Sequence, residues 1–446
     1  MNNLPRAIVP HHFPESTPPR ATGLTLTAFG LPLDLRRHPA ADYTSFECDG
    51  PVEITMAFAG AAPDSLGILR PLRHGVKIES AADSQARFTL PGPGYYQLEI
   101  PGRPVLYLYA MKLATPAPDG PKVRRYAAGQ VHEVGTITLG DGDTLWIEPG
   151  AVVRGHIDAR YVCGVRIGGG GLLQGSLWPD DGKRRNNVLF AHCRDVLVED
   201  ILITTEEHWM ILLGHCEDVR INRVREIGSG MSTDGIDIVG SRNVTITGCC
   251  LHNGDDNVVL KAIDFSANLS HPGAEGEDFT GPVEHVRVSG CVFYNNHGGS
   301  AMEIGYETRT SHIRDVRFED IDVLAVHEFG SVFGIHNGDR ATVEDIHWRD
   351  IRVEHHYDKL VDFRVLKSRY NFDAERGRIR DVTLSDIQVY PSIYNPGYTV
   401  SVIAGFDADH LVEHIHFENF RHGPVHVLSS DQLDLVTRHA HGIRFV

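Results

Sequence analysis

One short frame recurs through most of this chain and limits what it can fold into. Asp195-Val196-Leu197-Val198-Glu199-Asp200-Ile201 is followed by Asp218-Val219-Arg220-Ile221 and Asn243-Val244-Thr245-Ile246-Thr247-Gly248-Cys249. The frame returns at His285-Val286-Arg287-Val288, Asp315-Val316-Arg317-Phe318, Asp345-Ile346-His347-Trp348, Asp381-Val382-Thr383-Leu384 and His414-Ile415-His416-Phe417. Measured between the first apolar residues, the spacings are 23, 25, 42, 30, 30, 36 and 33. In each unit that anchor and the residue two later are apolar, whereas their neighbours are mostly polar. This is strand alternation, one face in and one face out. The Asp, Asn or Gly four residues after most anchors suits a bend between short strands. Units this short cannot bury a face alone, so stacking must supply the core. The pattern predicts an all-β chain built on a right-handed parallel β-helix.

Asp143-Thr144-Leu145-Trp146-Ile147 and Gly164-Val165-Arg166-Ile167 extend the pattern backwards. Before about residue 118 the frame is missing. Short β-type runs there (Leu24 to Thr27, Val52 to Phe58, Tyr95 to Ile100, Val105 to Tyr109) alternate with Pro- and Gly-rich turns, as in a small antiparallel β-sandwich. The expected organisation is a leader over 1–20, a β-sandwich over 21–118 and the β-helix over 119–446, joined at Ala114-Thr115-Pro116-Ala117-Pro118-Asp119-Gly120-Pro121.

The formal net charge of −17 argues against nucleic acid and anionic membranes as partners. No apolar run reaches the ~18 residues of a spanning helix. Met1 to Arg20 lacks the basic-then-apolar plan of a secretory signal, so a cytoplasmic location is expected unless a leader has been trimmed. Seven cysteines, an odd number, fit reduced thiols, with Cys249 and Cys291 as small fillers at equivalent repeat positions. No histidine, cysteine or carboxylate spacing matches a zinc site, and no Gly-rich loop prepares a nucleotide site. Neither metal nor cofactor is expected; a homo-oligomer is left open.

Two stretches carry the chemistry: Thr233-Asp234-Gly235-Ile236-Asp237-Ile238 and His252-Asn253-Gly254-Asp255-Asp256-Asn257. Asp234 precedes Asp255 by 21 residues, about one coil. On stacked coils about 4.8 Å apart, Asp234, Asp255 and Asp256 converge. Clustered carboxylates cannot all ionise freely, and an acid carrying a proton beside an ionised base is what glycoside hydrolysis requires. Asp237 alternates with Ile236 and Ile238 and reads as a solvated strand face.

Trp209, Cys216-Glu217-Asp218-Val219, Ser232-Thr233-Asp234-Gly235 and Gly254-Asp255-Asp256 resemble, in order, the motifs of glycoside hydrolase family 28, the polygalacturonase family of β-helices. An N-terminal sandwich, with Ile147-Glu148-Pro149-Gly150-Ala151-Val152-Val153-Arg154-Gly155, is also similar to the dextranase family, glycoside hydrolase family 49. The resemblance implies an inverting hydrolase, with Asp255 as general acid and Asp234 and Asp256 activating water. An acid and base about 6.5–9.5 Å apart leave room for that water.

Four further residues are candidates for substrate binding. His297, in Asn296-His297-Gly298-Gly299, stands near the family's Gly-His-Gly motif; Glu303 follows on the next strand; Lys261 shares the parity of Asp255 and could bridge to the cluster. The fourth, His336, marks a departure. Polygalacturonases carry an Arg-Ile-Lys triplet for the uronate carboxylate, and Gly334-Ile335-His336 stands there instead. Glycine offers nothing in place of a bidentate guanidinium. The leading expectation is therefore an inverting glycosidase on a neutral oligosaccharide or glycan. The alternatives are a pectin-type hydrolase (polygalacturonase or rhamnogalacturonan), with Arg309 or Arg340 supplying the charge, and a non-catalytic glycan-binding β-helix. The insertion from Asp264 to Pro282 could wall the cleft, and Tyr370, Phe372, Tyr390 and Tyr394 offer stacking surfaces at coil edges.

Overall fold

The computed structural model describes residues 7–81, 84–179, 185–266, 276–392 and 400–446. From Val123 onward the strands form one 31-stranded sheet wound into a right-handed parallel β-helix. Each frame residue pairs with its counterpart one coil on, so Val196, Val219, Val244 and Val286 stack in register, followed by Val316, Ile346, Val382 and Ile415. All eight are fully buried. The positions two later stack beside them and include near-parallel Phe318 and Trp348, with ring centroids 5.8 Å apart. The core is thus a set of columns running along the axis.

Backbone geometry explains the polar half of the frame. The residue before each anchor (Asp195, Asp218, Asn243, His285, Asp315, Asp345, Asp381, His414) has φ between 50 and 59°. The residue four after each anchor (Asp200, Arg223, Gly248, Gly290, Asp320, Asp350, Asp386, Asn419) has φ between 47 and 64°. Left-handed backbone favours Gly, Asn and Asp, and these residues dominate both corners of the coil. All seven cysteines are free thiols, six of them buried, and the Cys249 N–H points at the Cys291 sulfur 3.4 Å away. Among the described residues no helix is long and apolar enough to cross a membrane.

The N-terminal region forms two sheets. One runs Ile8–Pro10, Asp42–Cys48, Leu106–Met111, Gly94–Glu99, Ile68–Arg70; the other runs Leu31–Pro32, Leu24–Ala28, Val52–Phe58, Gln85–Leu90, Glu79–Ala81. Two expectations are corrected here. Ile8–Pro10 pairs with Phe46–Cys48, and the buried Arg36 guanidinium holds the carbonyls of Phe13, Pro14 and Pro18, so residues 8–18 are part of the sandwich rather than a leader. The sandwich is also not wholly antiparallel, because Asp42–Cys48 and Leu106–Met111 pair in parallel.

Strand Leu106–Met111 is buried on both faces. Leu106, Leu108 and Ala110 enter the sandwich core, while Tyr107 and Tyr109 pack on Val152, Leu172, Leu202, Ile227 and Cys250 of the β-helix. Polar contacts cross the same boundary. Arg70 Nη1 donates to Glu354 Oε2 (2.6 Å), and Arg225 reaches Ser45 Oγ (3.3 Å). The Tyr107 hydroxyl accepts from Gln97 Nε2 (2.9 Å), leaving its proton for His252 Nδ1 (2.9 Å).

Burial holds several histidines at and beside this boundary in the neutral form. His252 and His355 are pushed down to about 3, His38 and His356 to about 4. Unfolded histidine titrates near 6.5, so between these values the unfolded chain binds more protons. The stabilisation is complete above pH ~6.5 and is lost as pH falls toward 3–4. Urea midpoints measured from pH 7 to 4 are expected to fall, and a His252→Gln/His355→Gln variant to show a shallower slope.

Candidate active site

Asp234 lies two residues before strand Ile236–Val239, and Asp256 two residues before strand Val258–Asp264. Those strands pair Ile236 with Val258, so Asp234 stacks against Asp256, and the Gly235 N–H bonds the Asp256 carbonyl (2.8 Å). The coil here is one residue longer than the 21-residue spacing to Asp255 suggests. One oxygen from each of Asp234, Asp255 and Asp256 lies within 4.8 Å of the others. Asp234 is buried; Asp255 and Asp256 are partly exposed. Nearest-oxygen distances set a lower bound on carboxyl separation, and this one falls below the about 6.5–9.5 Å between an acid and base that flank a water. The spacing therefore does not by itself assign stereochemistry.

Close backbone packing holds the cluster. A Cβ on Gly299 would stand 2.1 Å from the Asp256 nitrogen, and one on Gly235 would stand 2.4 Å from the Asn257 carbonyl oxygen. Thr233 Oγ1 donates to the Gly230 carbonyl (2.8 Å) and accepts from the Gly254 N–H (2.9 Å), tying the two turns together. Asn295 Nδ2 donates to the Asp255 carbonyl (2.5 Å). Asn253 Nδ2 donates to Glu226 Oε2 (3.0 Å), and Asn257 Nδ2 to Asn253 Oδ1 (2.7 Å). Burial pushes Glu226 up to about 8, placing a protonated carboxyl beneath Gly235.

The electrostatics of the three acids differ. Burial, followed by the charges of Asp234 and Asp256, raises Asp255 well above the usual carboxylate range. Burial and the Glu303 charge do the same to Asp256, opposed by Lys261 and by the Ser300 N–H (2.7 Å). Asp234 instead forms an ion pair: Lys261 Nζ lies 2.8 Å from Asp234 Oδ2, 3.0 Å from Asp237 Oδ1 and 3.9 Å from the Trp209 ring centroid. Burial opposes the ammonium charge, but Asp234, Asp237, Glu307 and Asp256 outweigh it and raise Lys261. Two carboxyls that bind a proton more tightly, beside a third paired with an ammonium, are the groups that acid–base cleavage of an acetal calls for.

The remaining sequence candidates separate. Lys261 takes the bridging role. Asp237 is fully buried under Lys261, which corrects its reading as a solvated face. His297 is 40% exposed on the loop over the Asp255–Asp256 peptide, with its Nδ1 3.9 Å from Glu328. Glu303 and His336 are buried and bonded to each other, Nδ1 to Oε1 at 2.8 Å. His336 Nε2 lies 3.1 Å from Asp362 Oδ2, so both ring nitrogens are engaged within the protein. Arg309 is paired with Asp264 and Asp373, and Arg340 with Asp373, so neither offers an unshared charge. Tyr370 packs 5.7 Å from Tyr306, whereas Tyr394 lies outside the described residues, as does 267–275 of the Asp264–Pro282 insertion. Phe279 of that insertion is buried against Trp209, Leu212 and Phe265.

Sequence reading missed Glu226, Asn295, Asp362 and Arg364. Each looks like an ordinary polar strand residue, and only the coil register brings it to the site. Among the described residues the one group close enough to share a metal ion is the trio itself, and there the Lys261 ammonium already supplies a positive charge. A cavity of about 490 Å³ lies away from the aspartates, lined by Tyr161, His192, His215 and Arg242.

The glycosyl hydrolases family 28 model matches residues 144–390. A probable polygalacturonase of Arabidopsis thaliana is 27% identical over 251 residues, 51% of this chain and 54% of that protein. A probable endopolygalacturonase E of Aspergillus niger is 22% identical over 196 residues, 43% of this chain and 45% of that protein. The matches thus span about half the length of these curated relatives. The structure of Dex49A from Penicillium minioluteum superposes with a TM-score of 0.63 at 11% identity, covering 96% of each chain, a likeness of fold through both sandwich and helix.

Proposed function

Because the chain belongs to glycosyl hydrolases family 28, we propose that it hydrolyses glycosidic bonds of a pectin-type saccharide, with inversion, at Asp234, Asp255 and Asp256. The observation that carries this reading is the convergence of the three carboxylates on adjacent coils, one of them salt-bridged to Lys261 and two with raised proton affinity. Asp255 donates its proton to the leaving glycosidic oxygen as the anomeric C–O bond breaks. Asp234 and Asp256 take a proton from the water whose oxygen attacks the anomeric carbon from the opposite face. The transition state carries oxocarbenium character, which the clustered negative charge stabilises.

The named relatives are polygalacturonases, which supports a pectin-type substrate over the neutral glycan favoured by sequence reading. One observation favours the second reading: Gly334 and the fully bonded His336 stand where the family carries Arg and Lys. Incubation with polygalacturonic acid, rhamnogalacturonan fragments, α-glucans and galactans distinguishes the two. New reducing ends from the pectic saccharides are expected. Release from neutral glycans alone would move the assignment to the second reading, and binding without turnover of any saccharide would overturn hydrolysis.

A further inference from the structure

Beyond the trio, four charged side chains form a continuous chain along the helix axis. Glu303 sits one coil on, in register with Val259, and its Oε1 accepts from His336 Nδ1 (2.8 Å). His336 Nε2 meets Asp362 Oδ2 (3.1 Å), and Asp362 is gripped by Arg364 through Nε (2.6 Å) and Nη2 (2.7 Å). The Tyr306 ring lies parallel over the imidazole, centroids 4.4 Å apart. Burial opposes a charge on His336, but Glu303 and Asp362 outweigh it and push it up to about 9, while Arg364 Nη2 also stands 3.1 Å from its Nε2.

Glu303 explains the glycine at 334. A Cβ there would stand 1.9 Å from Glu303 Oε2, so the carboxylate fills the space a side chain at 334 needs. A basic residue at 334 and Glu303 in this position exclude one another. Oε2 is buried with the rest of the residue, which is 1% exposed, and has no hydrogen-bond partner among the described residues. Its charge acts on Asp256 more strongly than that of any other side chain. The cations of the chain are placed differently. His336 is enclosed and consumed by its two carboxylates, whereas Arg364 is 36% exposed. Gly305 pairs with His336 and His336 with Arg364, which sets Arg364 two coils, roughly 10 Å, beyond the Glu303 strand.

We propose that Glu303, locked by His336 and Asp362, is the specificity-determining residue of this site: it bars a carboxylate from the sugar bound beside Asp256, so that sugar is uncharged. A second negative charge brought against this buried carboxylate is strongly unfavourable, while sugar hydroxyls are tolerated. The inference rests on the trio being the reacting centre and names the substrate class at that centre, a saccharide in which a neutral unit occupies the position beside Asp256.

The test compares kcat/KM of the full chain on oligogalacturonate and on a pectic oligosaccharide alternating uronate with neutral sugar. Wild type is expected to favour the alternating substrate by at least ~10-fold, Glu303→Gln to narrow that ratio at least ~10-fold through KM for oligogalacturonate, and Glu303→Asp to preserve it. A wild type that prefers oligogalacturonate, or an unchanged ratio in a folded Glu303→Gln, overturns the proposal. If Glu303→Gln turns nothing over, calorimetric binding of both oligosaccharides to Asp255→Asn with and without Glu303→Gln must show the same narrowing, or the proposal fails. Wild type hydrolysing no saccharide would instead refute the hydrolase assignment, and the binding arm would still decide specificity.

Discussion

Asp255→Asn is expected to lower kcat by about 10³-fold or more while leaving the protein folded with an unchanged or higher denaturation midpoint. The loss follows from removing the proton donor, since general acid catalysis is worth about 10²–10⁴-fold. The unchanged fold follows from the surroundings. Asp255 is disfavoured as an anion by burial and by Asp234 and Asp256, so an amide of the same shape relieves repulsion. Its backbone carbonyl, which accepts from Asn295, is untouched by the substitution. Kinetics with a pectic substrate and a urea titration check both halves. A variant that retains turnover, or that loses activity only by unfolding, contradicts the role.

Lys261→Met is expected to be costly in stability as well as activity. The ammonium is enclosed by Asp234, Asp237 and the Trp209 ring, and its removal leaves two buried carboxylates without a counter-charge. Breaking a buried pair from one side costs about 3–5 kcal/mol, much of it the penalty of the charge left behind. Adding Asp237→Asn to Lys261→Met is expected to recover part of that loss, because one orphaned charge is neutralised; a double-mutant cycle on urea midpoints measures the coupling. Activity is expected to fall by about 10²-fold or more and to stay low in the double variant, since Asp234 remains without its ion pair. Equal stability of wild type and Lys261→Met would contradict the electrostatic account of the cluster.

The fold was legible because a β-helix repeats its constraints. Val196, Val219 and their successors must be apolar since each coil buries them against the next, and Asp200, Gly248 and Asp350 mark bends since left-handed backbone selects such residues. The residue before each anchor bends the chain just as sharply, with Asp, Asn or His in left-handed backbone. The trio was legible because Thr233-Asp234-Gly235 and Gly254-Asp255-Asp256 lie close in sequence and their coil is free of insertions. What was hidden depends on long-range register. Asp237 has the alternation of a solvated face and is buried only because Lys261, 24 residues away, folds over it. Glu226, Asp362 and Arg364 carry no local motif; they matter because pairing brings Glu226 beside Leu251, Asp362 beside Gly334 and Arg364 beside His336 on neighbouring coils. Ile8–Pro10 looked like a leader because its partner strand, Asp42–Cys48, offers no sequence signal for an edge awaiting a third strand.

If Asp234, Asp255 and Asp256 act together as an inverting acid–base centre, the stereochemistry of the first product reveals it. Nearest oxygens within 4.8 Å do not fix the outcome by geometry, so the measurement is independent of the structure. Proton NMR of the pectic digest, recorded before mutarotation, is expected to show the new anomeric centre in the configuration opposite to the bond cleaved. Retention of that configuration would require a covalent intermediate on one of the aspartates and would contradict the account.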